Sequence, residues 1–104
     1  MVKLIIDNIY IYNEDICYIK EKIRKNYCIF KLKLKITLFT SYYLQRVYKY
    51  FFNDTLFTIS KVNIKNQDQI DYIYKNCYIN KYIANKKGYV TIIIKNKLSK
   101  GELN

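Results

Sequence analysis

The strongest structural signal in the chain is the stretch C-I-F-K-L-K-L-K-I-T-L-F-T, residues 28–40. Apolar side chains at the even positions alternate with Lys31, Lys33 and Lys35 at odd positions. Successive side chains of a β-strand point to opposite faces of its sheet, so a period of two assigns one set to each face. The stretch therefore predicts a strand over residues 28–40, with its apolar face in the core and its lysines outside.

The segments before this stretch predict one strand and one helix. Residues 2–12 are rich in isoleucine at both alternating sets of positions, as in a central strand that is covered on both faces. Asn13 then suits a helix N-cap, because two acids follow it in the positive first turn. Ile16, Ile19 and Ile23 recur at three and four residues, which predicts the buried stripe of a helix.

Residues 41–52 allow two interpretations. Apolar side chains at helical spacing are Leu44, Val47, Tyr48 and Phe51. The density of aromatic residues, however, favours a strand, and Asn53-Asp54 resembles a tight turn between two aromatic segments. We therefore predict a hairpin in which residues 42–52 pair with residues 55–64.

A second helix is predicted after this hairpin. Asn66 with Gln69 three residues later resembles a capping box, and Gly88 suits the end of the helix. The buried side of this helix would consist of Ile70, Ile73, Tyr74 and Cys77. Residues 89–97 then predict a last strand, and residues 98–104 predict a frayed tail.

These elements predict one small domain over residues 1–97. Its fold class is α+β, in the order β-α-β-β-β-α-β, with a mainly antiparallel sheet of four to five strands. The two helices would cover one face of that sheet, since a chain of 104 residues supports a single core.

The composition argues against most catalytic chemistry. The chain has no histidine, three cysteines that match no metal-binding spacing, and two glycines, which rules out the common phosphate-binding loops. The close acidic pairs lie in the predicted first turns of helices, where acidic side chains interact favourably with the helix dipole. We therefore predict a protein that is not an enzyme, has no catalytic residue and binds no metal or cofactor.

The charge points to an anionic partner. Nineteen basic residues against eight acidic ones give a formal charge of +11. A lysine row on one strand face could follow the phosphates of a nucleic acid; the alternative is a face or edge that is merely solvated. The candidate binding cations are Lys31, Lys33, Lys35, Arg46, Lys49, Lys95 and Lys97.

The thirteen tyrosines have a similar double interpretation. Tyrosine rings can stack on unpaired bases, but they also pack well inside sheets. The codons for tyrosine and lysine are rich in A and T, so part of both excesses reflects the genome. The candidate aromatic contacts are Tyr42, Tyr43, Tyr48 and Tyr50.

The leading functional prediction is a basic module that binds nucleic acid, mainly single-stranded, through its lysine face. The alternative is an inhibitor of the anti-CRISPR type, which would dock on a nucleoprotein complex or a host defence protein through aromatic anchors. A self-associating structural protein is a third possibility. The chain shows no long apolar span or signal peptide, so we expect a cytoplasmic protein with no membrane partner, encoded by a virus or mobile element.

Overall fold

The computed structural model describes residues 1–25 and 27–96. Seven strands and one α-helix make up this part of the chain, together with a short 3-10 helix at Asn13–Asp15. In chain order they are β1 (Val2–Ile6), β2 (Ile9–Tyr12), β3 (Ile16–Ile23), β4 (Cys28–Lys35), α1 (Leu38–Phe52), β5 (Phe57–Val62), β6 (Ile70–Ala84) and β7 (Tyr89–Asn96).

The strands form a single antiparallel sheet in the order β2-β1-β5-β6-β7-β4-β3. Glu21 on β3 and Lys61 on β5 form an ion pair of 2.7 Å, although three strands separate β3 from β5 in the sheet. The sheet is therefore strongly curled. The face on the inside of this curl, the inner face, holds the apolar core. The opposite face is the outer face.

Helix α1 covers part of the inner face and packs against β6 and β2. Its first turn is closed by a reciprocal capping box, in which the Thr37 hydroxyl accepts from the Thr40 N–H and the Thr40 hydroxyl accepts from the Thr37 N–H. The buried Thr40 hydroxyl also donates to the Lys35 carbonyl, at 2.8 Å. These bonds satisfy polar groups that would otherwise be buried without partners.

The predicted fold class is wrong in the numbers of strands and helices. The sheet has seven strands rather than four or five, and the described residues contain one α-helix rather than two. The predicted strand over residues 2–12 is instead the β1–β2 hairpin, in which Asp7 adopts the left-handed φ of 53° that a two-residue turn favours. Lys97 and the predicted tail, residues 98–104, lie outside the described residues.

The helix predicted after Asn13 is instead strand β3. A bulge between Ile16 and Tyr18 places one extra residue in β3 opposite β4. Ile16 and Ile19 consequently both pair with inner-face residues, although they are three positions apart. A bulge therefore gave a strand the spacing that is typical of a helix.

The second predicted helix, after Asn66, is instead the long strand β6, for the same reason. Tyr74 pairs with Ile59 and Cys77 with Phe57, so the two inward side chains are three residues apart across a bulge. Asn76 within this bulge has a left-handed φ of 57°. A second irregularity after Ile79 again lengthens the spacing of the inward residues. The first bulge thus gave Tyr74 and Cys77 a helical spacing, whereas Ile70 and Ile73, the other residues of the predicted buried side, are exposed.

The predicted hairpin of residues 42–52 and 55–64 is also wrong, since its first half is helix α1. Of the four residues in the helical alternative, Leu44 and Val47 are buried and Tyr48 is exposed, while Tyr43 is a further buried residue of the helix. The strand over residues 28–40 ends at Lys35, because Thr37 caps the helix. Among the described residues, no helix combines the length and the apolar character that crossing a bilayer requires.

Candidate functional site

The outer face of β3, β4, β7 and the second half of β6 is a basic surface. The inward residues of these strands are apolar except for Glu21 and Asn96, and the residues between them point outward. The outward lysines are Lys20, Lys22, Lys31, Lys33, Lys35, Lys81 and Lys95. We call these residues the outer lysine face.

No acidic residue occupies an outward position on this part of the sheet within the described residues. The acid on β3, Glu21, points to the inner face and pairs with Lys61 there. The only other ion pair within residues 1–25 and 27–96 joins the N-terminus to Glu14. Among the described residues, therefore, no acidic side chain forms an ion pair with the outer lysine face.

Strand pairing concentrates this charge further. Lys20 on β3 lies directly opposite Lys31 on β4. The Cβ atoms of directly opposed residues are separated by about 4.5–5.5 Å, and like charges in such positions are destabilising. The fold thus maintains an electrostatically unfavourable pair, and a bound anion would relieve the repulsion.

Two tyrosines lie among these lysines. The Lys33 ammonium is 4.6 Å from the centre of the Tyr89 ring, and the Lys20 ammonium is 5.8 Å from that of Tyr18. These distances allow cation–π attraction. Both rings are partly exposed. The surface consequently presents ammonium groups next to accessible aromatic rings, the two groups that non-specific binding of single strands uses.

The structure brings four of the predicted site residues together. Lys31, Lys33 and Lys35 lie along β4, and Lys95 on the neighbouring strand β7 pairs with Ile29. The sequence had also suggested Lys97, which is outside the described residues. A lysine surface shared by β4 and β7 requires the two strands to be neighbours, and they are adjacent in the sheet.

The remaining predicted residues are on helix α1, which packs on the inner side of the sheet. Arg46 is exposed and donates to the Asn8 side-chain oxygen at 2.7 Å, and Lys49 is also exposed. They do not extend the outer lysine face. From the sequence they were predicted as binding cations interleaved with the tyrosines of residues 42–50.

The tyrosines of α1 contribute mainly to packing. Tyr43 is buried and donates to Asp15 at 3.1 Å, and Tyr50 donates to Asp7 at 2.8 Å. Burial, with the Asp15 carboxylate nearby, raises the pKa of Tyr43. The hydrogen bond to Asp7 raises the pKa of Tyr50. Both hydroxyls are held by carboxylates, so these rings anchor the helix to the sheet.

The other two predicted tyrosines are exposed but lie away from the lysines of the sheet. Tyr48 makes an edge-to-face contact with Tyr82, with ring centres 5.1 Å apart. Tyr42 is 72% exposed near the start of the helix. Of the four tyrosines predicted to contact bases, two are therefore held by packing and hydrogen bonds and two are exposed.

Three of the seven outward lysines were not among the residues predicted from the sequence. Lys20 was predicted on the solvent side of a helix, Lys81 fell within the second predicted helix, and Lys22 was not singled out. Tyr18 was not considered. A usable signal was present, because residues 18–23 alternate strictly between outward polar or aromatic groups and inward residues. The short length of that alternation and the bulge before it hid the strand.

Two buried thiols complete the inventory of reactive groups. Cys28 and Cys77 are buried on the inner face, and the Cys77 thiol donates to the Tyr74 carbonyl at 3.3 Å. The neighbouring Cys77 thiol, together with burial, raises the pKa of Cys28, so the Cys28 thiol stays protonated. Within residues 1–25 and 27–96, no three side chains of the His, Cys, Asp or Glu type come together as a metal site would need.

Comparison with other proteins leaves the function to be argued from this geometry. The chain matches no protein-family model, no curated protein and no solved structure.

Proposed function

We propose that the protein binds nucleic acid, preferentially single-stranded, through the phosphate backbone and the outer lysine face. One observation carries the proposal: lysines from four neighbouring strands share a surface that holds no acidic side chain among the described residues. A merely solvated face needs charge, but it gains nothing from placing Lys20 opposite Lys31.

The spacing of the lysines suits an extended strand. Alternate residues on a β-strand are separated by roughly 6.5–7 Å, which sets the interval between Lys31, Lys33 and Lys35. An extended nucleic-acid strand has phosphates at a comparable interval, so successive lysines can meet successive phosphates. The sheet places a second, parallel row at Lys20 and Lys22, one strand away.

Tyr18 and Tyr89 give this surface a preference for single strands. Unpaired bases can stack on exposed rings, and each such contact contributes about 1–3 kcal/mol. Bases in a duplex are already stacked and cannot reach the rings. The proposal includes little sequence preference, since phosphate contacts carry no sequence information.

The test is fluorescence anisotropy with a labelled oligo-dT 20-mer and with a duplex of the same length. We expect the single strand to bind more tightly and the affinity to fall steeply between 50 and 200 mM salt. A variant with Lys31→Glu, Lys33→Glu and Lys35→Glu should lose most of this affinity. Its log–log salt slope should become shallower by roughly 2, from the loss of three phosphate contacts at about 0.7 each.

The matched control carries the same charge change elsewhere, in Lys3→Glu, Lys49→Glu and Lys65→Glu. These lysines are on β1, on α1 and in the loop after β5. The control should retain most of the affinity. Circular dichroism establishes that both variants are folded. Equal loss in the two variants, or unchanged binding by the first, would contradict a localised site.

A cytoplasmic location is part of the proposal. All three cysteines are free thiols, and reducing compartments preserve this state. Nucleic acid is also abundant there. Fractionation of cells that express the tagged protein tests the location.

A further inference from the structure

A second surface lies at helix α1, on the inner side of the sheet. A groove with a volume of about 530 Å³ runs between the helix and the sheet. Its lining is largely apolar and includes Leu44, Tyr48, Phe52 and Tyr82, with Lys49 at the edge. A groove of this size can accommodate several side chains of a ligand.

Packed aromatic rings form the base of the groove. Tyr82 of β6 stacks on Phe51 with ring centres 6.1 Å apart and meets the edge of Tyr48 at 5.1 Å. Burial raises the pKa of Tyr82, consistent with its position below the surface. These contacts fix the floor, so the groove is formed before any ligand arrives.

The rim exposes apolar groups to solvent. Phe52 is 75% exposed, although it contacts the Tyr48 ring at a centre-to-centre distance of 6.2 Å. Leu38 at the other end of the helix is 81% exposed. A helix that is apolar on its solvent side as well as on its core side is characteristic of one that is covered by another molecule.

Among the described residues, the charged side chains that line the groove and the depression beside it are cations, while the Asp7 carboxylate behind the depression accepts from Tyr50. Lys49 lines the groove and also a neighbouring polar depression that contains Arg46. Residues 38–52 include no acid, and neither cation has an ion-pair partner among the described residues. A ligand that filled the groove with apolar groups and carried carboxylates beside them would match both features.

We propose that this groove docks an acidic amphipathic segment of a partner protein, with apolar side chains against Phe52 and Tyr82 and carboxylates at Lys49 and Arg46. Helices that insert one apolar face into a groove bind in this way. The surface is separate from the outer lysine face, so the protein can hold a nucleic acid and a protein at the same time.

Charge and shape favour this occupant over two others. A second copy would bring two positive rims together in a chain with a formal charge of +11, which opposes symmetric pairing. A protein that binds a membrane surface presents a projecting apolar face to the lipids, whereas this site is concave. Light scattering and flotation with vesicles of phosphatidylcholine and phosphatidylserine distinguish these occupants from a peptide.

The probe is a fluorescein-labelled 16-residue helical peptide with leucine on one face and glutamate on the other. Two comparison peptides replace the glutamates by lysine or the leucines by serine. We expect the acidic amphipathic peptide to bind, and each comparison peptide to bind about tenfold more weakly or worse. Amide shifts in heteronuclear NMR should map to residues 36, 41–52 and 82.

Two single variants test the groove directly. Phe52→Ser and Lys49→Glu change exposed side chains and should leave the fold intact. Each substitution should nevertheless weaken the affinity for the peptide by about tenfold. The Lys31, Lys33 and Lys35 glutamate variant should bind the peptide normally, because it alters the other face. The Lys65→Glu variant is the matched control for charge.

Several results would overturn the proposal. One is failure of the acidic amphipathic peptide to bind, and another is equally tight binding of this peptide to the Phe52→Ser variant. Amide shifts confined to β3 and β4 would also contradict the proposal. Dimers that dissociate when Phe52 is replaced would assign the groove to a second copy. Flotation that depends on Phe52 would assign it to a lipid surface.

Discussion

The two faces of strand β4 lie in very different surroundings. Its inward residues, from Cys28 to Leu34, are all buried and form the centre of the core. Its outward lysines are accessible and pair with another lysine and a tyrosine on β3. Where the inner face contains a cation, at Lys61, an acid meets it at 2.7 Å.

The contrast shows that this fold can balance a charge with an opposite one, yet among the described residues no acid balances the outer lysine face. A buried or half-buried charge without a partner is costly, so the inner face pairs Lys61 with Glu21. An exposed lysine is solvated and has no such requirement. The uncompensated charge is therefore tolerated on the outside, where it remains available to an anionic ligand.

The largest expected effect comes from the inner face of β4. Phe30 is fully buried and makes an edge contact with Tyr74. The substitution Phe30→Ala should destabilise the protein by about 3–5 kcal/mol, through lost apolar burial and a cavity. Urea denaturation followed by circular dichroism measures this loss. Lys31→Ala, one residue away on the opposite face, should change stability by no more than about 0.5 kcal/mol. Similar losses of stability from both substitutions would contradict the difference between the two faces.

An intermediate effect is expected at the ion pair of the inner face. The substitution Glu21→Met leaves Lys61, whose side chain is only 16% exposed, without its partner. We expect a loss of about 1–3 kcal/mol, the usual consequence of removing one side of a partly buried charged hydrogen bond. The double variant Glu21→Met with Lys61→Met should recover most of it, since replacing both partners removes the unpaired charge. A double variant as unstable as the single one would show that the pair itself stabilises the curl.

The smallest effect is expected on the outer face, and it has the opposite sign. Lys20→Glu replaces two directly opposed lysines by an ion pair with Lys31. Stability should rise by about 0.5 kcal/mol or less, because solvent screens exposed pairs. The gain should fade in high salt, while binding to oligo-dT weakens. Thermal melts at two salt concentrations measure this effect, and destabilisation at low salt would argue against repulsion between these lysines.

The candidate site was partly predictable from the sequence. The alternation around Lys33 assigned β4 and the polarity of its faces, because the period of two is a local property of a strand. The outer lysine face itself needed Lys20 beside Lys31, and these residues belong to different strands joined only by pairing. The groove at Phe52 was not predictable, because residues 41–52 had been assigned to a strand.

The sequence by itself determined the charge, the absence of histidine chemistry and the two faces of β4, since composition and short-range alternation do not depend on distant contacts. Only the tertiary structure decided that residues 16–23 and 70–84 are strands and that residues 38–52 are a helix. Bulges gave those strands inward residues three positions apart, as in a helix. A bulge exists only relative to the strand beside it, so the local pattern could not distinguish the two conformations.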